Sequence, residues 1–467
     1  MARKKVSAAP TPDERLEALR GRPKEELARL LAELAARHPE VEERLARHSL
    51  AADPASLAVE FRKRLQNWKR SRRFLQRSAA GGFGRELEAW LDEIERELLP
   101  IDPARAHMLA DAFLRSDERY FEQADDSDGA IGDAIRAACR LWLRTAKAQP
   151  EKDAAGWIDR VYALVNADEY GAREGLLEHA DLLFDEAGLR ALAGRFEADL
   201  ERALRARGPS ERREYGVYKA AAAIGLIADA LRDPDLSTQT TLRYSPNPNV
   251  LQKEHFAERY IRFGRHRDAL AWLEGDWGHR EEGRERLLAK AYAGLGDTAR
   301  LRAVRQALFE RTGAPSDFEA WRQSLPPADR ASAAEAARER AKLLGDPITG
   351  AELLLALDDD AAAEALLIAR HASVRGEEYY RLVPFARTLE KKSRLLGAVV
   401  CYRALLLAIL ARAYARAYGH AAEYLRALRR LDARVNNYGS LPTHQAFESS
   451  LRSAHGRKAS FWNRIRG

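Results

Sequence analysis

Two stretches in the middle of the chain, Glu258–Leu273 and Lys290–Arg305, read almost as copies of one another. Each holds an apolar-periodic segment, a glycine turn and a second periodic segment, and the turn glycines Gly264 and Gly296 lie 32 residues apart. A helical hairpin of that length carries an apolar face that it cannot bury alone, so consecutive hairpins must lean on one another. The pattern therefore predicts an all-α fold, an α-solenoid of helical hairpins, whose functional surface is a groove rather than a catalytic cleft.

Composition agrees with that reading. Of 467 residues 46% are hydrophobic, enough for real burial, and the residues in excess are the helix formers Ala, Leu, Arg and Glu. Although 32% of the residues are charged, 78 basic against 71 acidic side chains leave only +7, so most charge belongs to mixed helix surfaces. The two cysteines, Cys139 and Cys401, sit inside apolar helical stretches and exclude a disulfide scaffold or a cysteine zinc cluster. A reducing, cytoplasmic setting is expected. The amino-terminal segment has positive charge without an apolar stretch behind it, unlike a secretory signal. The longest apolar run, Leu395–Leu410, carries Arg403 near its centre, which suits a buried repeat helix better than a membrane span.

Along the chain, residues 1–12 read as a basic tail and 13–232 as an irregular helical half. Within that half, Asp53 announces a long helix running to about Arg77, broken by Ala79–Gly84, and helices follow at about 85–98, 103–123, 130–148, 153–166, 172–186, 188–206 and 210–232. Residues 233–250, rich in Pro, Ser, Thr and Asn, read as a linker. Residues 251–467 read as stacked hairpins closed by a terminal cap: the two copies, then pairs at 317–344, 347–371 and 379–411.

Four phrases, Arg29–Glu40, Asp125–Gly129, Pro248–Phe256 and His455–Trp462, together resemble a family of uncharacterised bacterial helical proteins. They also resemble the helical portion that follows the zinc finger in bacterial SWIM-finger proteins, while the second half is similar to tetratricopeptide repeats. The resemblance spans most of the chain and rests on packing and turn phrases, so it implies a helical fold and no activity. The Cys-x-Cys and Cys-x-His pairs of a SWIM finger do not occur, and neither zinc nor finger-mediated DNA contact carries over.

The densest charge feature is Phe61–Arg77. On one helix Phe61, Leu65, Trp68 and Leu75 would form an apolar stripe, leaving Arg62, Lys63, Arg64, Lys69, Arg70, Arg72, Arg73 and Arg77 for phosphates or for acids elsewhere in the fold. A second basic patch, Arg452, Arg457, Lys458, Arg464 and Arg466, surrounds Phe461 and Trp462, which either stack on bases or pin the terminus. Asp125–Gly129 fails as a calcium loop, because Ala124 and Ile135 fall where ligands are required; Asp128 instead reads as a helix cap. Gly81–Gly84 lacks the strand and lysine of a phosphate loop and reads as a turn. No metal-binding or nucleophile motif appears, so neither cofactor nor catalysis is expected.

In the repeat half, Tyr260, Phe263, Trp272, Trp277 and Tyr292 suit either interlocking helices or a peptide groove, with Tyr260 and Tyr292 expected in the core. Around such a groove Arg262, Arg265, Arg267 and Lys290 would select acidic partners. The expected function is a non-catalytic scaffold for a protein partner. The alternative is a nucleic-acid-associated protein using Arg62, Lys63, Lys69, Arg70, Arg73 and Arg77 with Arg457 and Lys458.

Overall fold

The computed structural model describes residues 11–466 apart from 51–52, 72, 151–152, 169 and 207–209. Residues 1–10 of the expected tail and Arg72 of the basic segment thus lie outside the described residues. Those described form 26 α-helices and no strand; a single bridge pairs Leu75 with Ala124. The chain divides into two compact units, Met1–Asn247 and Pro248–Gly467.

The first unit begins with α1 (Pro12–Arg20), α2 (Lys24–Arg37), α3 (Pro39–Leu50) and α4 (Pro54–Arg70). Its centre is built by α5 (Arg77–Glu93), α6 (Pro103–Leu114), α7 (Asp117–Glu122) and α8 (Ala130–Lys147). After these come α9 (Ala154–Asn166), the short α10 (Gly175–Glu178), α11 (Glu186–Arg205), α12 (Ser210–Leu231) and α13 (Pro234–Tyr244). Phe61, Trp90, Phe113, Tyr120 and Trp142 are fully buried where α4, α5, α6 and α8 meet, and the Trp90 and Phe113 rings stack at 5.4 Å. The Trp90 indole N–H donates to the Phe61 carbonyl at 3.2 Å, so this aromatic centre leaves no buried donor idle at Trp90.

Several expected boundaries move, each for a visible reason. The helix begun at Asp53, whose carboxylate accepts the Ala55 N–H, ends at Arg70 rather than Arg77. Beyond it Leu75 donates to the Gln123 carbonyl at 2.7 Å and accepts from the Asp125 N–H at 2.9 Å, a pairing that requires extended backbone. The Gly81–Gly84 turn lies inside α5. A Cβ on Gly84 would stand 2.7 Å from the Ala130 carbonyl oxygen, so this glycine lets α5 approach the start of α8. The cap of α8 is Asp126, not Asp128: its two oxygens accept the Ile131 and Gly132 N–H groups at 2.8 and 3.0 Å, while Asp128 pairs with Arg77.

The expected helix at 103–123 breaks at Arg115–Ser116, and the one at 172–186 gives way to short turns around buried Arg173. The guanidinium of Arg173 grips Asp117 through two 2.6 Å hydrogen bonds, and the Arg173 backbone N–H donates to the Asp168 carboxylate. Residues 234–244, expected as linker, are helical. Asp233 caps that helix through the Leu236 N–H, Pro234 suits its first turn, and the Thr240 and Thr241 hydroxyls donate back to the carbonyls of Leu236 and Ser237.

The second unit repeats one device. Its helices are α14 (Val250–Arg262), α15 (His266–Trp272), α16 (Glu281–Leu295), α17 (Thr298–Thr312), α18 (Pro315–Ser324), α19 (Arg330–Leu343) and α20 (Pro347–Ala356). The remaining six are α21 (Asp360–Ala369), α22 (Tyr379–Lys391), α23 (Leu395–Ala411), α24 (Tyr418–Asp432), α25 (His444–His455) and α26 (Ala459–Arg466). Helices pack on their sequence neighbours, and α14 on α16, α18 on α20 and α21 on α23 pack at the next remove, which is the solenoid pattern. At the two glycine turns the hydrogen bonds correspond one for one. Arg265 and Asp297 N–H donate to the Tyr260 and Tyr292 carbonyls, and Gly264 and Gly296 N–H to those of Ile261 and Ala293, with both glycines at positive φ. Tyr260 is buried as expected, whereas Tyr292 is half-buried. Each ring carries an arginine above it, Arg265 at 5.1 Å and Arg300 at 5.8 Å.

Candidate functional site

In the second unit a groove of about 930 Å³ lies between α22, α23 and the start of α24. Three helix faces make it, each at the one-turn and two-turn spacing that aligns side chains on a helix. From α22 come Tyr380, Val383, Pro384 and Arg387; from α23, Leu405, Ala408, Ile409 and Arg412; from the turn and α24, Ala417, His420 and Tyr424. The opposite face of α22, Leu382, Phe385, Ala386 and Leu389, is buried in the core, and this two-sidedness fixes which way the tyrosines point.

The groove floor is apolar and its rim aromatic. Tyr379, Tyr380 and Tyr414 are 66%, 72% and 56% exposed, against 5% for the core tyrosines Tyr260 and Tyr418. Pro384 inside α22 has no N–H to give the Tyr380 carbonyl, which leaves a backbone acceptor at the rim. The loop 374–377 reaches the wall without room for a side chain at Gly376: a Cβ there would stand 2.0 Å from the Ala404 carbonyl oxygen and 2.7 Å from the Ala408 methyl. On the rim Arg412 pairs with Glu377 at 3.8 Å, and the His420 Nδ1 lies 3.3 Å from the Glu423 carboxylate. Arg387 is exposed and no carboxylate lies within pairing distance of it among the described residues. Burial pushes the Tyr424 hydroxyl above its ordinary value, so it remains a neutral donor and acceptor.

The residues singled out in the sequence are placed elsewhere. Arg262, Arg267 and Lys290 are exposed on α14, α15 and α16, and Arg265 binds Asp268 at 2.6 Å; none of the four lines this groove. In the equivalent hairpin the pair is inverted, Asp297 with Arg300 at 3.5 Å, so these charges brace the turns.

The basic segment is divided by its break at Ser71. Lys63 pairs with Glu60 at 2.6 Å, Arg64 with Glu93 at 2.5 Å and Arg77 with Asp128 at 2.5 Å. Arg62, Lys69, Arg70 and Arg73 are exposed without a carboxylate partner among the described residues. Beside them Phe74 is 54% exposed, next to Arg73 and Arg119 at a cavity of about 350 Å³. At the carboxyl end Phe461 and Trp462 are buried, and Trp462 donates to the His455 carbonyl at 3.0 Å beneath Arg452. The terminus is thereby pinned, with Arg457 exposed and Lys458 half-buried beside it.

Neither cysteine is poised for chemistry. Both are buried, and burial raises the thiol of Cys401 to about 12 and that of Cys139 further still. Among the described residues no group of three or more His, Cys, Asp or Glu could hold a metal, and no helix is long and apolar enough to cross a membrane.

One family model, described as a family of unknown function (DUF6880), matches residues 13–464, nearly the whole chain. The chain belongs to that family. No curated protein and no solved structure matches this DUF6880 chain. The groove was missed in the sequence because its residues come from three helices, and only the run Tyr379–Tyr380, two adjacent aromatics opening a helix, signalled an uncovered face.

Proposed function

We infer that this protein is a non-catalytic, cytoplasmic helical-repeat scaffold. Tetratricopeptide-like hairpins form its framework, and the groove of α22, α23 and α24 holds a segment of a partner protein. The observation that carries this reading is the exposed tyrosine rim over an apolar floor. Large aromatic surface left in water is costly unless something covers it, and tyrosine is favoured in such places because it brings broad contact area and a hydroxyl for little loss of rotamer freedom. Helix faces aligned at one-turn spacing suit anchor residues with the same spacing on a bound helix. The test is selection of peptides from a displayed library on the full chain. Selected peptides should compete with one another and lose about tenfold or more in affinity to a Tyr380→Ala, Ile409→Asp variant whose circular dichroism is unchanged. Peptides indifferent to both substitutions would remove the groove from the reading.

A second reading, nucleic acid on the first unit, draws on Phe74. An exposed ring beside Arg73, which has no carboxylate partner among the described residues, offers the stacking and charge that single strands use, while Arg119 in the same lining is paired with Glu122 at 3.3 Å.

A further inference from the structure

We propose that Arg403 anchors a carboxylate-binding subsite, and that its ligand is an acidic side chain of the partner segment held in the neighbouring groove. The proposal rests on the groove reading for the source of the carboxylate and on the following geometry for the subsite itself.

Arg403 sits midway along α23 and is only 7% exposed, yet its Nε and Nη2 meet no hydrogen-bond acceptor. Burying an unpaired cation is among the costliest arrangements in a fold. The Phe447 and Tyr438 rings, centred 4.5 and 5.4 Å from the guanidinium carbon, offset part of that cost. Asp432 attracts the charge through space, but its carboxylate accepts the Tyr438 hydroxyl at 2.9 Å and forms no ion pair with Arg403. What remains is a cation held between two rings, on a residue that lines a cavity of about 440 Å³; its Nε and Nη2 are sealed from solvent, which leaves Nη1 as the atom a ligand would meet first.

That cavity is positive overall. Exposed Arg375 joins Arg403 in the lining, and the one acid there is Glu377, which Arg412 shares. The ligand indicated is a monoanion: one buried charge balances one carboxylate, whereas a phosphate dianion would leave excess negative charge beside Glu377. Gly376, Glu377 and Ala408 line both this cavity and the tyrosine groove, so one bound segment can reach both.

The experiment titrates the full chain with sodium propionate, a monoanion with the shape of an acidic side chain, at constant ionic strength, by calorimetry and by the ring resonances of Tyr438 and Phe447. Saturable binding is expected, with shifts at both rings. Arg403→Met should weaken it by about tenfold or more, Arg403→Lys by less, and the rim variant Arg375→Gln by about threefold. Absence of saturation, or undiminished binding to a folded Arg403→Met variant, would overturn the proposal, and so would inorganic phosphate binding as tightly as propionate. Should Arg403→Met not fold, the wild-type ring resonances decide, since saturation without a shift at Tyr438 or Phe447 places propionate elsewhere. Tyr380→Ala, which removes a rim ring of the groove and adds no charge, should leave propionate affinity within about twofold, so failure of the groove and failure of the subsite give different results.

Discussion

Two buried residues illustrate how single side chains set the stability of the first unit. Arg173 and Asp117, 4% and 1% exposed, form a two-point ion pair that ties α7 to the turns before α10. The Arg173 Nη1 donates further to the Leu164 carbonyl at 3.1 Å, so the charge is fully engaged. Asp117→Leu strands that guanidinium and is expected to cost about 3–5 kcal/mol in urea unfolding, most of which a second change, Arg173→Met, should restore. His107 acts through pH. Its ring lies 4.8 Å from Trp142 and 5.0 Å from Trp157, with Nδ1 3.0 Å from the Thr145 hydroxyl. Burial lowers it from 6.5 to about 4, with Asp111 opposing and Arg160 assisting. In the unfolded chain it protonates near 6.5, so below that pH the unfolded state holds more protons and stability falls. The contribution is complete above pH 6.5 and is lost as pH falls to about 4, an expected slope summing to about 2–3 kcal/mol. His107→Leu should flatten that part of a pH series of denaturation curves; a slope unchanged by the substitution would place its origin elsewhere.

Among the elements, the hairpin turn is the unit that repeats, and it shows why part of the array was legible and part was not. At Gly264 and Gly296 the left-handed residue is glycine, so both turns could be read directly. The same pair of hydrogen bonds recurs after α20 and α22: Asp359 and Arg394 N–H donate to the Leu354 and Leu389 carbonyls, with Asp358 and Ser393 at φ of 58° and 59°. It recurs once more in the first unit at Arg232, φ 55°. These turns carry no glycine, so the later hairpins do not repeat the first two in sequence, while their helix spans remain recognisable from apolar periodicity. The α13 helix hid for a related reason, since its serines and threonines satisfy their hydroxyls within the helix. The groove hid because side chains from three helices converge only in the fold. An L-residue held in the left-handed region costs about 1 kcal/mol or more, while glycine adds back some unfolded-state entropy. Ser393→Gly is therefore expected to raise stability by about 0.5–1 kcal/mol, and Gly264→Ala to lower it by about 1 kcal/mol, both measured from the midpoint of chemical unfolding.

For the molecule as a whole, charge separates the two functional readings. The excess of 78 basic over 71 acidic side chains gives +7 and an isoelectric point of about 9.3, which favours weak association with any polyanion. What matters is which cations are available, because an arginine already held by a carboxylate cannot displace counterions without first losing that partner. On the first unit Arg64 and Arg77 are so held, and Arg62, Lys69, Arg70 and Arg73 are not. With about four phosphate contacts, affinity for single-stranded DNA should fall about fiftyfold to a hundredfold between about 50 and 200 mM salt. Arg70→Glu with Arg73→Glu should remove most of what binds at the lower salt, and the same variant should retain the peptides selected on the α22–α24 groove with affinity unchanged within about twofold. Filter binding at the two salt concentrations, beside peptide titration of the same preparation, measures both. DNA binding that persists at 200 mM yet is lost on the double charge reversal would make nucleic acid a specific ligand of this surface and displace the scaffold reading, because diffuse surface charge cannot produce salt-resistant affinity; binding indifferent to both salt and charge reversal would instead remove the nucleic-acid reading of the first unit.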